Sequence, residues 1–440
     1  MSTPSVWLTT LGCAKNQVDS EKVLAMLGEA GYTEAADPGE ADVVMVNTCA
    51  FIEEARRESV ETILDLRAAT RDGARTVVLG CMAQRFGVEV ADALPEVDAV
   101  LGLDRYGELV DTLDTLTGWR PVEVRRRPVM DILHVVERAI PDLPYAYVKV
   151  AEGCDKPCTF CAIPLIRGKQ RSRSPVNVRD EISSLARAGV SEMVLVAQDL
   201  AAYGRDIGAP SGPGGPIVDL LRFVSDVEGI ERLRLLYLYP REIGDELIEE
   251  MTSNPRIASY FDLSLQHATG RLLRAMKRTG DGDRHLELIG RIRRSDPDAA
   301  LRSSFIVGFP GETDRDVEEL ADFLADARLD WAGFFPYSAE AGTPAADLDG
   351  RVPRSEVEDR LRHLQEIQEE ITADAGAATV GRELDVLVDQ VEDGVPVGRS
   401  YREAPEIDGM ISLDRGEPGR WVRAEVTAAF SSDLEAVVLG

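Results

Sequence analysis

The sequence predicts an α/β chain with an all-β tail. It reads as a parallel-sheet α/β domain over residues 1–125, an open partial (β/α)6 barrel over 140–372 and a small β-barrel over 376–440. Two observations carry the first half of this reading. Short apolar, β-branched runs alternate with helical stretches through most of the chain, as they do in parallel sheets. That alternation is interrupted by Arg125-Arg126-Arg127-Pro128, which reads as a linker. The third observation is a change of character near residue 376, where helical periodicity gives way to short β-rich runs separated by Gly and Pro.

The elements follow in order. Val6 to Thr10 reads as a strand, and Gln17 to Ala30 as a helix stopped by Gly31. Asp42 to Val46 is a second strand, Glu53 to Ala69 a second helix and Thr76 to Leu79 a third strand. In the middle region six strands are expected: Tyr145 to Ala151, Met193 to Ala197, Leu233 to Leu238, Phe261 to Leu265, Leu301 to Val307 and Trp331 to Phe335. Val352 to Asp374 is a charged amphipathic helix leaving that region. Gly208 to Pro216 is a Gly- and Pro-rich loop without the Lys-Ser/Thr ending of a phosphate loop. Leu384 to Val388, Val395 to Arg399, Gly409 to Leu413 and Trp421 to Ala428 are the expected barrel strands.

The 440 residues are 44% hydrophobic and 29% charged, the balance of a globular protein. The start of the chain lacks the pattern of a secretory leader, and no apolar run approaches the ~20 residues of a membrane span. A cytoplasmic protein without membrane contact is expected. The formal charge of −29 repels bulk nucleic acid and favours basic partners, unless it is no more than a general acidity of the surface. The terminal barrel concentrates this acidity, with six arginines against thirteen acidic residues, a balance of −7. An RNA reader should be basic, so direct sequence-specific nucleic-acid binding is not expected. This barrel suits a basic protein, and charge reversal at Glu406 and Asp408 is expected to weaken its docking.

Six cysteines in so long a chain do not make a disulfide scaffold. Cys154, Cys158 and Cys161 stand in Cys154-Asp155-Lys156-Pro157-Cys158-Thr159-Phe160-Cys161, a Cys-x3-Cys-x2-Cys loop. Three thiolates on one loop hold three irons of a 4Fe-4S cube, and with no fourth cysteine nearby the last iron stays open to a ligand. The loop follows the first middle-region strand, where barrels of this plan place their chemistry. Cys13, Cys49 and Cys81 each follow a strand of the first domain. Parallel strands bring such positions to one sheet edge, so these three form a second possible metal site; the alternative is three core thiols. No cysteine is left over.

Other positions leave two readings open. Gly308, in Gly308-Phe309-Pro310-Gly311-Glu312, permits close approach of a ligand to the backbone or simply turns the chain. Ser264, Gln266 and His267 follow the fourth middle-region strand, and a lone histidine there is more often structural. Lys156 and Arg167-Gly168-Lys169 flank the cluster loop and either pair with a carboxylate or screen thiolates.

The spacing of the Cys154 loop, with an aromatic before its last cysteine, resembles the signature of radical S-adenosylmethionine (SAM) enzymes. Leu11-Gly12-Cys13-Ala14-Lys15-Asn16, Asn47-Thr48-Cys49-Ala50-Phe51 and Leu79-Gly80-Cys81-Met82-Ala83-Gln84-Arg85 resemble the N-terminal motifs of the methylthiotransferases, and the last barrel resembles their TRAM domain. Of two branches, one modifies an adenine of tRNA and the other an aspartate of a ribosomal protein. Glu152-Gly153-Cys154-Asp155 with Ala162-Ile163-Pro164, Gln198-Asp199 with Ala202-Tyr203-Gly204, and Ala404-Pro405-Glu406-Ile407-Asp408-Gly409 resemble the second.

The resemblance implies two 4Fe-4S clusters. The one at Cys154, Cys158 and Cys161 is implied to bind SAM and pass it an electron, giving a 5′-deoxyadenosyl radical. That radical takes hydrogen from the β-carbon of an aspartate in small-subunit ribosomal protein twelve, free or in the ribosome. The other cluster, at Cys13, Cys49 and Cys81, carries the sulfur, and a second SAM supplies the methyl group. Gly308 is expected to contact the cofactor. A monomer served by an electron donor such as flavodoxin is expected. The rival readings are the tRNA-modifying branch and a non-catalytic iron–sulfur carrier.

Overall fold

The structure is a computed structural model that describes residues 3–118, 131–208, 212 and 214–439. The Arg125–Pro128 linker lies outside the described residues, as does part of the Gly208–Pro216 loop. Contacts divide the chain into two compact units. The first comprises Met1–Ile140, Ala151–Asp155 and Ala162–Arg173; the second comprises Pro141–Val150, Lys156–Cys161 and Ser174–Gly440.

The first unit is built on a parallel sheet. Its elements are β1 (Ser5–Thr10), α1 (Ala14–Glu29), β2 (Thr33–Glu34), β3 (Val43–Thr48), α2 (Glu53–Ala69), β4 (Arg75–Leu79), α3 (Gly80–Ala93), β5 (Ala99–Leu101) and α4 (Leu109–Thr117). The strand order is β2-β1-β3-β4-β5, with every pairing parallel. β3 is buried along its whole length, as expected of a central strand with helices on both faces. One face packs Val43, Met45, Val77 and Leu79 under α1 and α4; the other packs Val46 and Val78 under α2 and α3. Helix α1 starts three residues earlier than the periodicity suggests, with Cys13 itself at the N-cap. β2 and β5 were too short to read from pattern.

The chain then gives β6 (Tyr145–Lys149) to the second unit and returns to the first with β7 (Ala151–Glu152), the one-turn α5 (Ile163–Ile166) and β8 (Arg171–Ser172). Ala162 and Ile166 pack into the same apolar cluster as Cys81 and Met82.

The second unit continues with α6 (Pro175–Arg187), β9 (Glu192–Val196), α7 (Gly215–Ser225), β10 (Arg232–Leu235), α8 (Asp245–Ser253), β11 (Tyr260–Gln266), α9 (Gly270–Ala275), α10 (Gly282–Ser295), β12 (Ala300–Val307), α11 (Asp314–Ala327), β13 (Trp331–Pro336) and α12 (Arg354–Ala377). The six expected strands are all present. They form two three-stranded parallel sheets, β6-β9-β10 and β11-β12-β13, joined by single bridges such as Leu238 to Leu263. This is an open six-stranded βα array. Local signals start its helices: Ser174 caps α6 with Pro175 at the first helical position, and Thr313 and Asp316 form a capping box on α11. Backbone strain gathers at strand ends, where Tyr237 and Gln266 take positive φ of 63° and 72°.

The terminal strands β14 (Glu383–Glu392), β15 (Val395–Arg399), β16 (Ile411–Leu413), β17 (Trp421–Phe430) and β18 (Asp433–Val438) close a five-stranded barrel. The sequence reading lacked β18, whose parallel pairing with β16 completes the closure. The seam between barrel and βα array is made of charge. Glu192 sits fully buried at the start of β9, accepting from Arg234 at 2.8 Å and Arg399 at 3.0 Å. Arg234 also donates to the carbonyls of Ser400 and Tyr401.

That seam corrects one expectation. Asp408 does not face a partner: it accepts from Tyr260 Oη at 2.6 Å and lies 3.2 Å from Arg302. Glu406 accepts from Tyr145 Oη but remains exposed. A charge count cannot tell which carboxylates a fold turns inward. The acidity of the barrel survives the correction, because ten of its thirteen acidic residues are exposed.

Candidate functional site

The first unit gathers Cys13, Cys49 and Cys81. Each follows the carboxyl end of a parallel strand, β1, β3 or β4. Gly12 lets two of these loops meet: its φ is +94°, and a Cβ there would lie 2.7 Å from Cys49 Cβ. Cys49 and Cys81 are 8% and 6% exposed. Burial pushes the Cys49 thiol up to about 12, and Cys13 and Cys81 push the same way, so the three sulfurs feel one another. Burial also raises Cys81, against the pull of Arg167. At Cys13 burial is more than offset by Lys15 and Arg167, and the thiol is lowered. At Cys49 and Cys81 the pocket disfavours free thiolates, yet it supplies cations and hydrogen-bond donors for thiolates that a metal group would neutralise.

The donor beside them is Arg167, whose side chain is 1% exposed. Nη2 donates to Cys81 Sγ at 3.4 Å and to Asn16 Oδ1 at 2.6 Å. Nη1 pairs with Asp19 at 3.2 Å and with Glu152. Asn16 passes the connection on, donating to the carbonyls of Leu11 and Thr48 at 2.8 and 3.1 Å. Those carbonyls belong to the loops of Cys13 and Cys49. Sequence reasoning placed Arg167 beside the Cys154 loop as a charge pair or a screen. It is both, and the sulfur it meets belongs to the other triad.

The Cys154 loop runs from one unit into the other. Cys154 belongs to the first unit, where its amide donates to Gly168 O at 3.1 Å. Cys158 and Cys161 belong to the second, where the amide of Cys161 donates to Cys158 O. All three are half-buried. Arg278 Nη1 stands 3.6 Å from Cys158 Sγ and is held over the Tyr239 ring at 4.2 Å. Lys156 shares that ring and pairs with Glu242 at 2.5 Å and Asp199 at 3.3 Å. Burial raises the Asp199 carboxyl although Lys156 opposes it. Gln198 Oε1 and Nε2 and Tyr337 Oη are buried without hydrogen-bond partners. They follow β9 and β13, so polar capacity is left open at strand carboxyl ends, where a cofactor fits.

Two expected positions have structural explanations. The place of a Cβ at Gly308 (φ +80°) is taken by Val357 of α12, and its amide is bound by Glu312. Packing against Val357 is by itself enough to require a glycine here. His267 is fully buried, its Nδ1 accepts from the amides of Ala268 and Thr269, and its Nε2 faces Glu312 at 3.6 Å. Asn16, Asp19 and Arg278 were missed as site residues. Asn16 is signalled by its place in the Cys13 motif; Arg278 has no local signal.

Among the described residues no helix is long and apolar enough to cross a membrane. The open βα array and the cysteine loop define a radical SAM protein, and the Radical SAM superfamily model matches residues 148–324. The uncharacterized family UPF0004 matches residues 5–102 and the TRAM domain residues 380–439. The fold is shared with the radical SAM methyltransferase TsrM of Kitasatospora setae, described with cobalamin and a [4Fe-4S] cluster. The TM-score is 0.55 at 16% identity, over 76% of this chain and 72% of that one.

Relatives fix the family more narrowly. The uS12 methylthiotransferase RimO of Moorella thermoacetica is 44% identical over 97% of both chains. That of Saccharopolyspora erythraea is 40% identical over 98% of this chain and 95% of its own. The chain belongs to the RimO family of radical SAM methylthiotransferases, enzymes that use iron–sulfur and SAM.

Proposed function

We propose that this enzyme methylthiolates the β-carbon of an aspartate in ribosomal protein uS12, using two 4Fe-4S clusters. Cys13, Cys49 and Cys81 hold one, and Cys154, Cys158 and Cys161 hold the other. The observation that carries the reading is the division of all six cysteines into two triads, each lacking a fourth thiol. The names of the full-length relatives support the substrate, and the exposed acidic face of the barrel suits a basic ribosomal protein. When bound, the two groups supply the electron that cleaves SAM and the open iron through which sulfur reaches the substrate.

The protein's own residues have simpler tasks. Gln198 and Tyr337 offer hydrogen bonds to SAM. Lys156, fixed by Asp199 and Glu242, orients the motif loop. The burial of Cys49 and Cys81, with Cys13 left partly exposed, limits water at the sulfur-bearing site. An electron donor such as flavodoxin and a monomeric, cytoplasmic enzyme complete the reading.

The test is mass spectrometry of uS12 from cells with and without the gene. A gain corresponding to one SCH3 in place of hydrogen, confined to one aspartate, is expected. Modified tRNA adenine with unmodified uS12 favours the tRNA branch instead. In vitro, Cys158→Ala abolishes 5′-deoxyadenosine formation, whereas an iron–sulfur carrier leaves SAM intact in every variant.

A further inference from the structure

We propose that Arg167 is the fixed counter-cation of the N-terminal triad, a positioning residue that sets how readily the iron–sulfur group there accepts an electron. The proposal rests on the reading above that Cys13, Cys49 and Cys81 hold a cluster. Three features of the site carry it. The guanidinium donates directly to one ligand sulfur, Cys81 Sγ, at 3.4 Å. Through Asn16 it is tied to the backbone of the other two ligand loops, at Leu11 and Thr48. Its remaining face is clamped by Asp19 and Glu152 in a site from which water is excluded.

The physics follows from charge. Three thiolates make the cluster anionic, and each added electron makes it more so. A donor to sulfur and a nearby cation both favour the reduced form, and at low dielectric they act strongly. Without Arg167 the pocket loses that cation while the carboxylates of Asp19 and Glu152 stay beside the sulfurs. The arrangement is unlike that at Cys158, where Arg278 is held by a carbonyl and a ring rather than by carboxylates. Arg167 follows Cys161 on the same stretch of chain. The segment bearing the radical SAM motif thus also delivers the cation of the other triad.

The experiment uses the full chain with Cys154, Cys158 and Cys161 changed to Ala, reconstituted so that only the N-terminal triad can hold iron. Midpoint potentials are read by EPR during a dithionite titration, in which one electron passes from reductant to iron and no bond is made or broken. Arg167→Met shifts the midpoint to more negative potential, and Asp19→Asn, which removes one anion and keeps the arginine, shifts it to more positive potential. Arg167→Lys keeps the charge but loses the fork, so its shift is smaller than that of Met.

If Arg167→Met does not retain iron, the Asp19→Asn and Arg167→Lys shifts decide the matter. Iron of about four per chain with an unmoved midpoint in these variants overturns the proposal alone. A parent without iron overturns the triad reading and the proposal with it.

Discussion

Two buried charge clusters in this protein are mirror images. In the first unit a cation, Arg167, is surrounded by Asp19, Glu152 and the thiol of Cys81. In the second an anion, Glu192, is surrounded by Arg232, Arg234 and Arg399. Both central residues are essentially sealed from water. At Glu192 burial favours the neutral acid, but Arg399, Arg234 and Arg232 outweigh it and hold the carboxyl down at about 2. Burial, charge and perturbed ionisation are common to both sites, so none of these identifies a functional site alone. The excess arginine donors at Glu192 end on carbonyls, aromatic rings and the carboxylate of Asp389, which closes that cluster on itself. The Arg167 cluster ends on sulfur.

The largest expected effects separate the two. Cys81→Ala removes the group held by the first triad, and iron in the reconstituted protein falls from about eight to about four per chain. Glu192→Gln leaves iron content unchanged. It takes the carboxylate from Arg232 and Arg234, while Arg399 keeps Asp389, and lowers stability by about 3–5 kcal/mol, read by denaturant unfolding of the metal-free chain. Loss of iron in Glu192→Gln, at a temperature where the variant is folded, breaks the distinction between a seam and a site.

How much of this the sequence disclosed follows from the range of each interaction. Parallel strands and their helices are written in local periodicity, so Cys13, Cys49 and Cys81 could be assigned to one sheet edge without coordinates. The Cys154 loop is legible because its spacing is local. Arg167 was visible as a charge near that loop, but its contact with Cys81 spans residues that share no pattern. The same limit misled the reading of Asp408, whose partners Tyr260 and Arg302 lie far back in the chain, whereas Glu406 stays exposed. Strand β18 escaped because Ser431, at φ +55°, turns the chain too tightly to leave the loop signal expected between strands.

The seam itself sharpens the contrast, because its two ends titrate in opposite directions. Glu192 is depressed, so its contribution is present above pH ~4.5 and is lost as pH falls towards about 2. Asp408 is raised by burial to about 6, against the pull of Arg302 and Tyr260. A raised carboxyl contributes stability below pH ~4 that is lost as pH rises through about 6. The expected loss across that window is on the order of 3 kcal/mol. Asp408→Asn removes it, so the difference between parent and variant unfolding free energies changes between pH 4 and 6. A pH-independent difference means that Asp408 ionises in the folded protein as it does in the unfolded one.

The smallest effect tests the same lesson at one residue. Gly308 stands at a strand end in a radical SAM array, the position and residue type that suggest a ligand, just as Glu192 has the burial and charge that suggest a site. Its surroundings give another reason: Val357 fills the space where a Cβ would go, and φ is +80°. Gly308→Ala therefore costs about 1–3 kcal/mol through overpacking and backbone strain. Adding Val357→Ala returns the part due to overpacking and leaves the backbone part. SAM affinity of the folded variants, measured by calorimetry on the reconstituted enzyme, stays within about two-fold of the parent, a difference below 1 kcal/mol. A large loss of SAM binding that Val357→Ala does not restore would place Gly308 against the cofactor after all, and would show that a packing explanation does not exclude a binding one.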